Sequence, residues 1–229
     1  MTAVILAEPE ASARWVGTRE FEAAGFTVFP AGDEAELDRR LAQLDPAALV
    51  ADRRLVGPTG ERLRRLRQDP RRQHTLCYVL ALVPSASERQ VLLEAGADWY
   101  IDKTALVGFL AGAVSAQIRP APPPAGRSPR VAPRTRIVLP IEYSPRGRVD
   151  LGETRDLSAA GVFVRTPSPA DVGELLLLGF TGMGPRRLEC FGRVQWNRQG
   201  ETLQPYPAGM GLQFVDAQPS VTAALAPSS

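Results

Sequence analysis

Lysine, histidine and cysteine are scarce in this chain, and the shortages of histidine and cysteine each argue against a kind of site. Lys103 is the only lysine, and the other 26 of the 27 basic residues are arginine. His74 is the only histidine, which excludes a cluster of histidine ligands around a metal. Cys77 and Cys190 lie far apart and do not indicate a disulfide framework. The formal net charge of +2 gives no support for a general nucleic-acid-binding protein.

Long apolar segments are also missing. No apolar run approaches the ~18 residues of a membrane span, so we expect no membrane span. The N-terminus lacks the charged start and long apolar segment of a signal peptide. We therefore expect a soluble protein in the reducing cytoplasm. With 229 residues, 44% of them hydrophobic, the chain is long enough for two domains that each bury a core.

Apolar runs alternate with helical patterns through residues 1–118. Such alternation predicts an α/β domain in which helices cover both faces of a parallel sheet. The predicted strands are Ala3–Ala7, Phe26–Phe29, Ala47–Ala51, Cys77–Val83 and Trp99–Ile101. The predicted helices are Arg14–Ala24, Asp33–Leu44, Glu61–Gln68, Ser87–Ala95 and Leu106–Ile118.

The pattern changes after a proline-rich linker at residues 119–129, which cannot continue the preceding helix. Short strands with frequent turns then predict a small all-β antiparallel barrel over residues 130–217. Residues 218–229 form a tail. The predicted strands are Arg136–Tyr143, Arg148–Thr154, Val162–Arg165, Glu174–Phe180, Arg187–Trp196 and Gly211–Val215.

Two short motifs stand at the start of this second domain. Arg130 and Arg134 form R-x-x-x-R, and Asp156, Ser158 and Gly161 form D-x-S-x-x-G about two dozen residues later. In this order, each followed by a strand, the pair resembles the PilZ family, whose members bind cyclic di-GMP. The resemblance covers about residues 130–216 and agrees with a small antiparallel barrel. It implies that cyclic di-GMP is bound by the motif residues Arg130, Arg134, Asp156, Ser158 and Gly161.

The chemistry of these residue types suits such a ligand. Arginine binds phosphate oxygens, or the O6 and N7 of guanine, with two parallel hydrogen bonds. An aspartate can accept hydrogen bonds from the guanine N1–H and N2–H₂ edge, a serine can donate or accept, and a glycine allows a positive φ or a close approach. The alternatives are that Asp156 and Ser158 only form a turn and that the arginines are a solvated linker in an arginine-rich protein. Trp196 could stack on guanine, but we expect a barrel residue at a strand end.

The first domain resembles the flavodoxin-like receiver domain of response regulators. Asp52 ends the third predicted strand and is followed, after four residues, by Gly-Pro-Thr-Gly, as a phosphoacceptor would be. Lys103 follows the fifth strand, where receivers keep a lysine that pairs with the phosphoryl group. Tyr100 occupies the position of the receivers' aromatic switch residue. The resemblance therefore implies Asp52 as a possible phosphoacceptor, with Lys103 and Glu8 beside it.

Several departures from the receiver pattern weaken that implication. Receivers hold Mg²⁺ with two adjacent acids after the first strand, whereas Pro9 follows Glu8 here. Val83 stands where a Ser or Thr usually contacts the phosphoryl group, although Ser85 is nearby. Phosphoryl transfer needs the metal to neutralise developing charge. We therefore expect Mg²⁺ binding to be unlikely, phosphorylation to be weak or absent, and the domain to serve as a surface for docking another protein.

These features together predict a cyclic di-GMP receptor that relays binding to an unknown protein partner through its receiver-like domain. The alternative is a nucleotide-independent protein-interaction scaffold in which both domains are degenerate. Enzymatic activity has little support, because there is no G-x-S-x-G elbow and no metal-ligand cluster. Residues 126–136 lack a strong apolar anchor, so we expect this segment to be mobile without ligand and ordered by it.

Overall fold

The computed structural model describes residues 2–83, 85–103, 110–118, 135–145, 148–181, 188–199 and 207–215. They belong to two compact units, Met1–Ile118 and Arg119–Ser229. The linker, the tail, Arg130 and Arg134 lie outside the described residues. Among the described helices, none has the length and apolar character needed to cross a membrane.

The N-terminal unit is a five-stranded parallel sheet with the strand order β2-β1-β3-β4-β5, the order of flavodoxin-like folds. This confirms the predicted α/β class. The strands are β1 (Ala3–Ala7), β2 (Thr27–Ala31), β3 (Ala48–Asp52), β4 (Leu76–Ala81) and β5 (Trp99–Asp102). The helices are α1 (Ala11–Ala23), α2 (Glu34–Gln43), α3 (Glu61–Gln68), α4 (Ala86–Glu94) and α5 (Leu110–Ile118), with a short 3₁₀ turn at Arg53–Leu55 after β3.

Both faces of the sheet are buried, as continuous apolar strands require. One face forms a core with the inner sides of α2, α3 and α4, in which Leu37, Leu63 and Leu92 are almost fully buried. The observed strand bounds differ from the predicted ones by a few residues. β2 extends through Pro30, which is tolerated because β2 lies at the edge of the sheet. β4 ends at Ala81, two residues earlier than predicted.

The C-terminal unit is a closed antiparallel barrel of six strands in the order β10-β11-β8-β7-β6-β9, which confirms the predicted all-β class. Closure leaves no exposed sheet edge. Its interior is lined by apolar side chains such as Leu157, Val162 and Leu212. The strands are β6 (Pro140–Ser144), β7 (Asp150–Ser158), β8 (Gly161–Arg165), β9 (Leu175–Phe180), β10 (Leu188–Arg198) and β11 (Gly209–Val215).

Two irregularities in the barrel decide which side chains face outward. The register of β7 on β8 shifts between Thr154 and Asp156, and the register of β10 on β11 shifts between Val194 and Trp196. Each shift inserts one extra residue into a strand. Since side chains alternate between the two faces of a strand, one inserted residue moves all following side chains to the opposite face. In β7 and β10, the residues whose side chains face outward therefore change at the shift.

Candidate functional site

The D-x-S-x-x-G motif forms the tip of the β7–β8 hairpin. Ser158 and Gly161 are the last cross-strand pair, and Ala159 and Ala160 form the turn. The Ser158 hydroxyl accepts a hydrogen bond from the Ala160 N–H at 3.2 Å and donates one to the Gly161 carbonyl at 3.3 Å. Ser158 is buried. Its hydroxyl therefore closes the turn of the hairpin, as the turn interpretation of the motif predicts.

Gly161 is required by close packing rather than by a left-handed backbone. Its φ lies outside the positive range found at Gly57, Gly60 and other turn glycines. A Cβ at Gly161 would lie 2.1 Å from the carbonyl oxygen of Leu212 on β11. No real Cβ contact is that short, and the obstacle is backbone. The sequence offered two explanations for Gly161, a positive φ or a close approach. The positive φ is wrong, and the group that approaches closely is the backbone of the neighbouring strand β11.

Three cross-strand rows run over the outer face of β7, β8, β11 and β10. Residues paired across strands lie on the same face of a sheet. The first row is Glu153–Arg165–Gly209–Arg198, the second is Asp156–Phe163–Gly211–Trp196, and the third is Ser158–Gly161–Gln213–Arg193. The motif residues Asp156, Ser158 and Gly161 thus share one surface with Trp196.

Trp196 stacks on Phe163 across the missing side chain of Gly211. The two ring centroids are 5.3 Å apart and the ring planes differ by 18°. A Cβ at Gly211 would lie 2.3 Å from the indole Nε1. Phe163 is buried beneath the stack, whereas Trp196 is 44% exposed. The indole therefore presents an aromatic surface in the same row as Asp156, within β10 rather than at its end.

Arginines border this aromatic surface. Along β10, the outward-facing Arg193 precedes Trp196 and the outward-facing Arg198 follows it. The Arg193 guanidinium donates to the Gly173 carbonyl at 2.8 Å, and burial lowers the pKa of Arg193. Arg165 extends from β8 and is exposed, with the Glu153 carboxylate 3.9 Å away. The face thus combines an aromatic ring with cationic groups, a combination that suits a base and a phosphate.

The residue after Arg134 is fixed to β7 between the motif's Asp and Ser. Thr135 and Leu157 exchange two backbone hydrogen bonds of 2.8 and 2.9 Å. Farther along, the buried Thr154 hydroxyl accepts from the Leu139 N–H at 2.9 Å and donates to the Ile137 carbonyl at 2.7 Å. The prediction of an unanchored segment up to residue 136 is therefore wrong from Thr135 onward; residues 126–134 lie outside the described residues.

In the N-terminal unit, the chain brings Glu8, Asp52 and Lys103 together at the carboxyl edge of the sheet. The Lys103 ammonium lies 2.5 Å from both Asp52 Oδ2 and Glu8 Oε2. Asp52 and Glu8 are buried. The sequence reasoning missed Arg54, whose Nε and Nη2 donate to Asp52 Oδ1 and Oδ2 at 2.9 and 3.0 Å.

The Asp52 carboxylate also caps the 3₁₀ turn, accepting from the Arg54 backbone N–H at 2.9 Å. Burial alone would raise the pKa of Asp52, but hydrogen bonds from Arg54 and Lys103 outweigh it and lower the pKa to about 2. Asp52 is thus ionised and fully partnered at neutral pH. Only the position of Arg54, two residues after Asp52, could have signalled this contact.

The other receiver-like positions have local structural roles. Tyr100 is buried, and its hydroxyl donates to the Glu88 carboxylate at 2.7 Å. Burial and that bond raise the pKa of Tyr100 to about 12. Ser85 caps α4 by accepting from the Glu88 N–H at 3.1 Å, and Val83 is 80% exposed. Neither residue supplies a hydroxyl to Asp52.

Residues 128–226 match the PilZ domain family. The comparison with curated proteins finds no match. Solved structures similar to the N-terminal half include the signal receiver domain of a DNA-binding response regulator from Colwellia psychrerythraea 34H, with 13% identity over 52% of this chain and 98% of that chain, at a TM-score of 0.47.

Two further solved structures cover the same half. A response regulator from Thermotoga maritima is 22% identical over 52% of this chain and 98% of that chain, at a TM-score of 0.45. A response regulator protein from Burkholderia multivorans is 24% identical over 53% of this chain and 98% of that chain, at a TM-score of 0.47.

The strand order of the N-terminal unit and the family match of the C-terminal unit define the class of protein. The chain joins a domain with the flavodoxin-like strand order to a second domain, a closed antiparallel barrel. The second domain matches the PilZ domain family over residues 128–226, and that family generally binds cyclic di-GMP.

Proposed function

We propose that the chain is a receptor for cyclic di-GMP, which binds on the outer face of β7, β8, β11 and β10. The single observation that carries this proposal is the cross-strand row from Asp156 to Trp196. It combines a carboxylate of the family motif with an exposed indole. Three interstrand spacings, about 14 Å, separate the ends of the row, which leaves room for the two halves of a dinucleotide.

Each group in the proposal has one task. The Asp156 carboxylate accepts from the N1–H and N2–H₂ edge of one guanine. Arg130 and Arg134 bind the phosphates and guanine edges through paired hydrogen bonds. The anchoring of Thr135 beside Leu157 supports this assignment, because Thr135 directly follows Arg134 in sequence. The indole of Trp196 stacks on a base. Ser158 and Gly161 shape the hairpin that carries Asp156.

The receiver-like domain acts in this proposal as a docking surface for a protein partner, and it has no catalytic role. The occupied Asp52 pocket supports that assignment, since a carboxylate held by Arg54 and Lys103 is poorly suited to accept a phosphoryl group. Output would then pass from nucleotide binding in the barrel to a partner held by the other domain. A nucleotide-independent scaffold is the competing function, and it predicts no binding of cyclic di-GMP.

Isothermal titration of the full chain with cyclic di-GMP tests the proposal. We expect saturable binding, weakened at least ~10-fold in Asp156→Ala and in Arg134→Ala, the scale of a lost charge-assisted hydrogen bond. Asp171→Ala, which removes an exposed carboxylate from a turn outside the three rows, is the matched control and should bind like the wild type. Wild-type affinity in both motif variants would rule out this site, and no binding by the wild type would favour the scaffold.

A further inference from the structure

The acid pocket at the carboxyl edge of the receiver sheet is filled by cations of the chain itself. Arg54 binds both oxygens of the Asp52 carboxylate, and Lys103 bridges Asp52 Oδ2 and Glu8 Oε2. The other oxygen of Glu8 accepts from the Glu10 N–H at 3.0 Å. All four oxygens of these two acids therefore have partners. Two cationic groups balance two buried carboxylates.

The receiver fold implies Mg²⁺ at this position, but these residues do not fit the ion. Mg²⁺ requires near-octahedral oxygen ligands at about 2.1 Å and keeps several waters. Here the Asp52 oxygens that would face the ion are held by nitrogen donors. Among the described residues, no group of three or more acids, imidazoles or thiols is placed to hold a metal. A cation entering the pocket would have to displace Arg54 or Lys103.

We infer that the Arg54 guanidinium serves as a built-in counter-ion in place of a divalent cation, so that Asp52 is a structural acid that takes neither a metal ion nor a phosphoryl group. Attack on phosphorus needs a free carboxylate oxygen, a departing leaving group and a metal to neutralise the developing charge. Arg54 binds the Asp52 oxygens, so the carboxylate has no free oxygen, and its guanidinium stands in place of the metal. It also ties Asp52 to the 3₁₀ turn.

The same short segment is fixed on its other side. Arg53, the residue before Arg54, forms an ion pair with Glu88 on α4, and Glu88 accepts the hydroxyl of the buried Tyr100. Arg54 thus binds Asp52 in the acid pocket, and Arg53 binds Glu88 on α4. Contacts on both sides of the segment are therefore made by groups of the chain itself.

Binding of Mn²⁺ to the full chain, measured by electron paramagnetic resonance, tests the inference. Mn²⁺ is a suitable probe because it shares the oxygen preference of Mg²⁺. The wild type should leave Mn²⁺ free in solution. Arg54→Ala should bind it on the order of 10-fold more tightly or better, because a positive charge a few ångströms from the ion is gone. Arg39→Ala, on the exposed side of α2, is the control and should behave like the wild type.

Thermal unfolding and mass spectrometry complete the test. Mg²⁺ should leave the wild-type Tm unchanged and raise that of Arg54→Ala by about 4 °C. If Arg54→Ala fails to fold, Arg54→Gln keeps a hydrogen-bond donor without the charge and takes its place. A Mg²⁺-dependent adduct of wild-type Asp52 with acetyl phosphate would overturn the inference. A folded Arg54 variant that binds neither Mn²⁺ nor Mg²⁺ would also overturn it. Neither result bears on nucleotide binding by the barrel.

Discussion

The ring of Trp196 lies on the ring of Phe163, two strands away, because the residue between them is Gly211. Any side chain at that position would collide with the indole. The glycine thus sets the height of the aromatic surface above the sheet. It also explains how a large apolar side chain can remain 44% exposed and still be fixed in place. Such a ring is ready to stack on a base without first being ordered.

The first prediction concerns that ring. Trp196→Ala should weaken cyclic di-GMP binding by about 10-fold or more, since stacking of a base on an aromatic side chain contributes roughly 1–3 kcal/mol. Isothermal titration measures the effect. Trp15→Ala, which removes the exposed tryptophan of α1, is the control and should leave the affinity unchanged. Equal affinity of Trp196→Ala and the wild type would show that the indole does not contact the ligand.

A second prediction separates structure from ligand binding at Gly161. Gly161→Ala should destabilise the barrel by about 1–3 kcal/mol with no nucleotide present, because its Cβ meets the Leu212 carbonyl. Ser158→Ala should cost about 1 kcal/mol through the lost turn hydrogen bonds. Urea unfolding followed by hydrogen exchange in β7 and β8 measures both.

Gly173→Ala is the control for that experiment. Its Cβ meets nothing within 4 Å, so only its positive φ of 90° is penalised, at about 1–2 kcal/mol. A Gly161→Ala barrel that unfolds at the same urea concentration as the wild type would contradict the packing role assigned to Leu212.

A third prediction follows from the low pKa of Asp52. The pKa is about 2 in the folded chain and near 3.8 in the unfolded chain. The group therefore stabilises the fold above pH 4, by about 2 kcal/mol, and this contribution is lost as the pH falls toward 2. Arg54→Ala removes the main cause, so it should destabilise the N-terminal unit at pH 7 by about 1–2 kcal/mol.

The difference between Arg54→Ala and the wild type should shrink as the pH falls toward 2, because Asp52 becomes increasingly protonated in both. Urea titrations at pH 7 and pH 3, followed by hydrogen exchange in β3 and β4, isolate the N-terminal unit. Arg39→Ala again serves as the control. If the difference is the same at both pH values, the hydrogen bonds from the Arg54 guanidinium do not stabilise the N-terminal unit through the ionised Asp52 carboxylate.

The sequence was sufficient for both fold classes, because each strand carries its own signal. Runs such as Ala3–Ala7 are short, continuous and apolar, as strands buried on both faces of a parallel sheet are. The order of the two motifs also sufficed for the family. The strand starting at Arg136 was misplaced, since Ile137 and Leu139 bond the Thr154 side chain and the regular strand begins only at Pro140. Propensity does not predict a side-chain contact of this kind.

The outward positions of Asp156 and Trp196 could not be predicted. Strict alternation from Glu153 would turn Asp156 inward, and strict alternation from Arg193 would do the same to Trp196. The extra residue in each strand, at Arg155 and at Gln195, turns both side chains outward. A bulge leaves no reliable mark in one sequence. The Arg54–Asp52 contact was missed for a similar reason, because it depends on the 3₁₀ turn after β3.

Hydrogen exchange of the full chain with and without cyclic di-GMP tests the central claim most directly. The claim is that the nucleotide occupies the outer face of the barrel and closes the arginine segment onto it. At saturating ligand we expect slower exchange in residues 126–134 and in the Ser158–Gly161 turn, and unchanged exchange in β1, β3 and β4. Exchange that is unaffected throughout the barrel, or slowed only around Asp52, would contradict the account.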